Sequence, residues 1–180
     1  MTLAITPATP RTAPPAPRPR PAARHLATLP AIQDLTVPGG PLNQTWLRIF
    51  RPASTTGPLP VIVYVHGTET PFADPGTRRK AFRLATNVKA AVILVDYSLA
   101  PTARVPIALE EDRAAVRWAT AHGTPYGLDG TRIALASDPS AATRAEELIL
   151  TADRDGDPVP SAHVVCEPGA GSLLRAALAA

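Results

Sequence analysis

The sequence predicts an α/β domain with a mostly parallel sheet of about six strands and flanking helices. Residues 61–65 and 91–96 are almost entirely apolar, which is typical of parallel strands covered on both faces. After these runs, the apolar residues between 108 and 119 recur at helical rather than strand spacing. Strands that alternate with helices favour a layered α/β architecture.

The first part of the predicted domain contains three strands and one helix. Ile32–Val37 and residues 44–50 flank the segment PGGP at 38–41, and clustered prolines and glycines mark a turn. We therefore expect two leading antiparallel strands. The strand at 61–65 follows, and then comes a helix over 76–87 with a basic outer face.

The second half continues the alternation after the strand at 91–96. Pro106 opens a longer helix, since proline is favoured in a first helical turn. A strand at 132–136, a helix from 139 to about 152 and a strand at 162–166 complete the pattern, before a helix-prone tail at 172–180. The last strand is expected at an exposed edge of the sheet.

Residues 1–30 differ in composition from residues 31–180, which form the predicted domain. Proline alternates there with threonine, alanine and arginine, which predicts a disordered or polyproline-like tail. Four arginines precede Asp34, the first acidic residue. Without interleaved aromatic residues they are a weak signal, and we expect no nucleic-acid partner. The four are Arg11, Arg18, Arg20 and Arg24.

Composition excludes several classes of function. No apolar run is long enough for a transmembrane helix, and the N-terminus lacks the order of a secretion signal, so no membrane association is expected. The single cysteine, Cys166, excludes an internal disulfide framework and fits a reducing compartment. We expect a cytoplasmic protein. No phosphate-binding glycine loop and no zinc-type cluster is present, so neither a cofactor nor a metal is predicted.

Several motifs, in order and without gaps, carry a resemblance to a known family. They read LPVIVYVHG at 59–67, AVILVDYSLAP at 91–101, VPIALEE at 105–111 and LDGTRIALA at 128–136. Over residues 32–168 the chain resembles the hormone-sensitive-lipase-like carboxylesterases, the α/β-hydrolase fold-3 family. The resemblance implies a partial α/β-hydrolase fold and an ancestral activity of carboxylic-ester hydrolysis. It also implies a truncated chain, because the family has further strands after the sixth.

Pro139 stands where the resemblance places the catalytic serine. The family's G-x-S-x-G turn presents the serine on a strained backbone, whereas residues 137–141 here read SDPSA. Proline carries no nucleophile, and its ring fixes φ near −65°. We expect an ordinary helix start capped by Ser137 or Asp138 instead. The alternative is that the neighbouring Ser140 serves as a relocated nucleophile.

The remaining catalytic parts are degenerate as well. The oxyanion motif of the family begins at His66 and Gly67 and continues with glycines, but here it continues with Thr68 and Glu69. The family's acid and base come after two further strands, beyond the sequence given. His163 falls within a predicted strand, where a structural role is expected. It and Cys166 are expected on opposite faces of that strand.

Three functions stay open at this point. The first is a catalytically silent relative of the esterases, a pseudoenzyme. The second is an interaction module that docks its exposed sheet edge onto itself or onto another chain. The third is a weak esterase that uses Ser140.

Overall fold

The computed structural model of the protein describes residues 31–53, 57–67, 74–98 and 105–179. The predicted tail, residues 1–30, lies outside the described residues. No helix in the described ranges is long and apolar enough to span a membrane. The strands are Ile32–Val37 (β1), Thr45–Phe50 (β2), Leu59–Val65 (β3), Ala91–Asp96 (β4), Leu128–Ser137 (β5) and His163–Val165 (β6). The helices are Pro75–Val88 (α1), Val105–His122 (α2), Ala142–Asp155 (α3) and Ala170–Ala179 (α4).

One sheet connects all six described strands, in the order β1-β2-β4-β3-β5-β6. β1 pairs with β2, and β2 with β4, in antiparallel fashion. The other neighbours, β4 with β3, β3 with β5 and β5 with β6, are parallel. The predicted fold class is therefore confirmed. β6 lies at one edge of the sheet, as its position in the sequence predicted.

Two apolar cores cover the two faces of this sheet. Along β3, Val61, Val63 and Val65 belong to the core that contains residues of α2 and α3. Ile62 and Tyr64 point the other way and belong to the core that contains residues of α1 and α4. This alternation follows from the period of two in a strand. It explains why β3 carries a continuous apolar run, since both faces are buried.

Local capping sets the limits of α1. The Asp74 carboxylate accepts a hydrogen bond from the backbone N–H of Thr77 at 2.6 Å, and Pro75 occupies the first helical position. The helix ends at Val88, and Lys89 follows it in a left-handed conformation with φ 61°. The cap was not identified from the sequence, so the predicted helix over 76–87 was slightly too short.

Several further boundaries differ from their predictions, three of them in the second half of the chain. The helix predicted from residue 139 begins at Ala142, because Pro139–Ala141 form a separate 3₁₀ turn. β5 begins at Leu128 rather than at residue 132, since Leu128 already pairs with Leu59 of β3 before the register shifts at residue 60. β6 is shorter than the predicted 162–166.

Candidate active-site region

The carboxyl ends of β3, β4 and β5 bring three motif segments to one edge of the sheet. Residues 66–67 follow β3, residues 97–98 follow β4 and residues 138–140 follow β5. In open α/β sheets, ligands bind outside the carboxyl ends of the strands. Any site inherited with this fold must therefore be assembled from these three segments.

The turn after β5 has unstrained backbone. Asp138 is extended, with φ −67° and ψ 153°, and it leads into the 3₁₀ turn at Pro139–Ala141. The non-glycine residues with positive φ in the described ranges are Asn43 and Lys89, and neither lies in this turn. Pro139 and Ser140 are exposed, whereas the neighbouring Ala141 is buried. The side chain of Ser140 therefore reaches solvent, but not from a strained elbow.

Asp138 does not cap this turn through its side chain, contrary to the prediction. Its carboxylate oxygen Oδ1 instead accepts hydrogen bonds from the Tyr64 hydroxyl at 2.9 Å and from Lys80 Nζ at 2.7 Å. Burial raises the pKa of the Tyr64 phenol, with a further contribution from Cys166. The carboxylate is thus directed to the α1 side of the sheet, which the sequence could not indicate.

The His66 imidazole is buried and faces carbonyl groups on both sides. Nδ1 lies 3.0 Å from the carbonyl oxygen of Gly67, and Nε2 lies 2.9 Å from that of Val95. The ring also packs 4.7 Å from the ring of Tyr97, centroid to centroid. These contacts hold the end of β3 against the end of β4. The other two predicted remnants of the oxyanion motif, Thr68 and Glu69, lie outside the described residues.

A buried arginine joins the segments after β3 and β4 to helices α2 and α3. Arg144, in the first turn of α3, donates from Nε to Asp112 at 2.9 Å. Its Nη2 donates to the backbone oxygen of His66 at 2.6 Å and to the Tyr97 hydroxyl at 2.7 Å. The Tyr97 hydroxyl donates in turn to Asp112 at 2.8 Å. The side chain of Arg144 is only 6% exposed and that of Asp112 is fully buried.

Sequence reasoning missed this network, although a signal existed. Ala141, Ala145 and Leu148 mark the buried face of the helix, and Arg144 lies next to Ala145 on the same side. An arginine on an apolar helix face requires a buried partner, and Asp112 occupies a comparable position in α2. Helical spacing therefore indicates that both charges are buried, but it does not indicate that they contact each other.

The loop after β4 is held by a second buried carboxylate. Both carboxylate oxygens of Glu111 lie 3.1 Å from the backbone N–H of Ser98, which donates to them. Burial raises the pKa of Glu111, and the hydrogen bond from Ser98 offsets this only in part. Glu111 thus fixes Ser98, the last residue of the segment DYS at 96–98, rather than facing an open site.

A serine–histidine contact occurs at a position that the sequence did not indicate. Ser137 Oγ lies 2.8 Å from His163 Nε2, across β5 and β6. Burial lowers the pKa of His163, while the charge of Glu146 raises it. Ser137 is fully buried, so its oxygen is closed to solvent. The contact links the edge strand to β5, in keeping with a structural histidine.

Cys166 lies on the other face of the sheet from His163. It packs against the core shared by α1 and α4, and burial raises the pKa of its thiol. A thiol with a raised pKa is a poor nucleophile. Within the described ranges, no group of three His, Cys, Asp or Glu side chains is placed to hold a metal ion.

Sequence comparison identifies relatives for most of the described chain. The family profile for the alpha/beta hydrolase fold matches residues 62–178. Esterase LipI of Mycobacterium tuberculosis is 35% identical over 132 residues, which cover 71% of this chain and 41% of that esterase. Carboxylesterase NlhH of the same species is 30% identical over 128 residues, covering 71% and 40%. The chain therefore spans about two fifths of the length of these relatives.

Solved structures agree with the sequence relatives. Carboxyl esterase 2 from Tuber melanosporum superposes with a TM-score of 0.66 at 30% identity, covering 74% of this chain and 43% of the esterase. A thermostable esterase from Pseudomonas putida gives a TM-score of 0.66 at 27% identity, covering 78% and 44%.

Proposed function

We propose that this chain, which belongs to the α/β-hydrolase fold-3 family of carboxylesterase-like proteins, is a catalytically silent member of it. The family's activity is the hydrolysis of carboxylic esters, by analogy with the esterases that the chain resembles. The observation that carries the proposal is Pro139, which stands at the nucleophile position on an unstrained 3₁₀ turn.

Acyl transfer in this fold needs an oxygen nucleophile that a base can deprotonate. Pro139 offers neither a hydroxyl nor a thiol, so no acyl-enzyme can form at this position. The turn also lacks the left-handed backbone that would project a side chain upward. A serine placed at 139 would therefore start from the wrong backbone conformation.

The motif that stabilises the oxyanion in this family is also altered in this sequence. Where the family continues with glycines after His66 and Gly67, this chain has Thr68 and Glu69. A carboxylate near the developing negative charge would oppose it, and removal of even one oxyanion donor costs about 10²–10³ in rate. Silence thus follows from two independent changes, in the nucleophile and in the oxyanion motif.

Ser140 is the alternative nucleophile, since it is exposed beside the expected position. To act as a nucleophile, Ser140 would need a histidine nitrogen close by to serve as its base. Both ring nitrogens of His66 face carbonyl oxygens, and His163 Nε2 contacts Ser137 instead. His122 ends α2, a helix that runs away from the carboxyl ends of the strands. Among the described histidines, none presents a nitrogen to Ser140.

Hydrolysis of short p-nitrophenyl esters by the purified 180-residue chain tests the proposal. We expect no turnover above the buffer rate from the parent, from Ser140→Ala or from Pro139→Ser. Labelling by a fluorophosphonate, located by peptide mass spectrometry, is the second readout and should find no modified serine.

Alanine variants of Ser137 and Ser140 show which residue is responsible if activity is found. Turnover and labelling that disappear in Ser140→Ala would establish a relocated nucleophile and refute catalytic silence. Loss in Ser137→Ala but not in Ser140→Ala would assign the reaction to the Ser137–His163 pair, with the same consequence for the proposal.

A further inference from the structure

Strands β1 and β2 present a partly exposed face on the α1 side of the sheet. Phe50 of β2 belongs to the core shared with α1, and Trp46, four residues earlier in the same strand, lies on the same face. On β1, Ile32 pairs with Phe50 and therefore also lies on this face. Ile32 is 43% exposed and Trp46 is 54% exposed. This part of the sheet thus shows apolar and aromatic surface to solvent.

Helix α1 forms a wall beside this face. The charge of Arg78 acts on Asp34 of β1, so Arg78 lies on the side of α1 that is turned toward β1. Phe82, which is 45% exposed, follows Arg78 by one helical turn and lies on the same side. Because α1 leads from the end of β3 to the start of β4, it runs opposite to β1, and Phe82 lies at the level of Ile32. We call the result the β1–α1 groove, with Phe82 and Ile32 at its lower end and Trp46 at its upper end.

The chain enters β1 at the lower end of this groove. The carbonyl of Ala31 accepts from the N–H of Arg51 at 2.8 Å, which fixes the first described residue beside the start of the strand. The backbone bends at Ala31, and the preceding residue is Pro30, which is favoured at the second position of a turn. A turn at this point directs the preceding residues back along β1 instead of beyond the sheet.

The last part of the tail differs in composition from the Pro/Arg-rich stretch before it. Residues 24–30 read RHLATLP, with apolar side chains at Leu26 and Leu29. Pro30 restricts Leu29 to extended backbone. In a polyproline-type helix, residues three apart lie on the same side and are separated by roughly 9 Å. The ends of the groove are four residues of β1 apart, or about 13 Å, and the leucine and Trp46 side chains can span the difference.

Charge favours this segment over the rest of the tail. In the middle of the groove, Arg48 donates two hydrogen bonds to the carboxylate of Asp34, and the segment after Arg24 brings no further arginine, lysine or acidic residue to this pair. Arg24 itself would approach Asp96, which pairs with the tryptophan at the upper end and lies on the same face. The arginines of residues 1–23 would instead meet α1, which has four cationic and no acidic side chains.

We propose that residues 24–30 dock in the β1–α1 groove of their own chain as a polyproline-type segment, with Leu29 against Ile32 and Phe82 and Leu26 against Trp46. Aromatic-lined grooves bind such segments because a chain that is already extended loses little entropy on docking. The covalent link raises the effective concentration of the segment to about the millimolar range, so a weak contact is sufficient. The proposal is independent of catalysis and leaves residues 1–23 outside the groove.

Limited trypsin digestion tests the docking with an internal control. Of the four arginines in the tail, Arg18 and Arg20 precede prolines and are poor trypsin sites. Arg11 and Arg24 remain, and only Arg24 belongs to the docked segment. Cleavage after Arg24 should be about tenfold slower in the parent than in Leu26→Ser/Leu29→Ser, which corresponds to a segment docked about nine-tenths of the time. Cleavage after Arg11 should be the same in both proteins.

Leu3→Ser is the matched control variant, because Leu3 is the remaining leucine of the tail and lies outside the docked segment. Its cleavage rates should equal those of the parent. All these substitutions lie in the tail, so they leave the two cores of the domain intact.

Acrylamide quenching of Trp46 is the second readout. The other tryptophan, Trp118, is only 6% exposed, so quenching in the parent reports mainly on Trp46 without any substitution in the domain. Deletion of residues 1–30 should increase the quenching and move the emission to longer wavelength, since Leu26 no longer covers the indole. Deletion of residues 1–23 should change neither.

Three results would overturn this docking. The first is cleavage after Arg24 at the same rate in the parent and in Leu26→Ser/Leu29→Ser. The second is equal quenching of Trp46 with and without residues 24–30. The third is protection of Arg24 that disappears on dilution, because the segment would then occupy the groove of a second copy.

Discussion

Replacement of Arg144 by methionine removes the group that joins α3 to the ends of β3 and β4. The methionine fills a similar volume but donates no hydrogen bond. It leaves the carboxylate of Asp112 buried with only the Tyr97 hydroxyl as a partner, and the backbone oxygen of His66 loses its donor. Removal of one member of a buried ion pair destabilises a protein by about 3–5 kcal/mol. For a domain of this size, that corresponds to a fall in Tm of roughly 6–20 °C.

The matched control is Arg132→Met. Arg132 pairs with Asp129 at 2.7 Å, a geometry like that of the Arg144 pair, but its side chain is 43% exposed. Exposed pairs contribute about 0–1 kcal/mol, so the same chemical change should have little effect there. Urea unfolding followed by tryptophan fluorescence gives both free energies of unfolding.

The pH dependence of the Arg144→Met effect has a defined sign. Burial raises the pKa of Asp112 even beside Arg144, whose charge lowers it. Without the arginine, the folded-state pKa of Asp112 rises further above its unfolded value. The variant is then least destabilised at low pH, where the carboxyl is protonated. The difference in unfolding free energy between variant and parent grows as pH rises toward the folded-state pKa of Asp112 in the variant.

Two results would refute this reasoning. The first is a loss in Arg144→Met no greater than that in Arg132→Met. The second comes from the double variant Arg144→Met/Asp112→Leu, which removes both charges and should be more stable than the sum of the single losses predicts. Strict additivity would mean that the two side chains do not act as a pair.

Three further predictions concern other parts of the fold. Glu111→Gln should flatten the pH dependence of stability. Because the pKa of Glu111 is raised in the folded state, the parent loses stability relative to the variant as pH rises from about 4. The difference in unfolding free energy between the two proteins, measured at each pH, checks this. Leu174→Ala should cost about 2–5 kcal/mol because this α4 side chain is fully buried, whereas Leu42→Ala, at an exposed site, should cost far less in the same urea titration. Asp74→Ala should lower Tm through loss of the cap to Thr77, and an unchanged Tm would contradict the assigned cap.

The strands and helices were predictable where apolar spacing decides them. β3 and β4 read as continuous apolar runs because both of their faces are covered, and Pro106 marked the start of α2 to within one residue. The limits of β5 were not predictable. Its extension back to Leu128 depends on pairing with Leu59, a contact between residues far apart in sequence.

The polar contacts of the site region were the least predictable part. Asp138 sits where a helix cap is expected, yet the Tyr64 hydroxyl and Lys80 compete for its carboxylate. That outcome depends on the distance between β3, α1 and the turn, which no local pattern contains. The Ser137–His163 contact was equally unpredictable from local sequence, since it exists only because β5 and β6 are neighbours.

A proline at residue 139 is compatible with this fold because the contacts that stabilise the fold lie elsewhere. The sheet is held by the two apolar cores, and the ends of its central strands are tied together by Arg144, Asp112 and Tyr97. None of these contacts uses residue 139, which is exposed. Proline there also restricts the unfolded chain, and where its φ is accommodated such a residue stabilises a protein by about 0.4–1 kcal/mol. A strained elbow at this position would cost free energy, so the unstrained turn at Pro139 is the conformation that the rest of the fold favours.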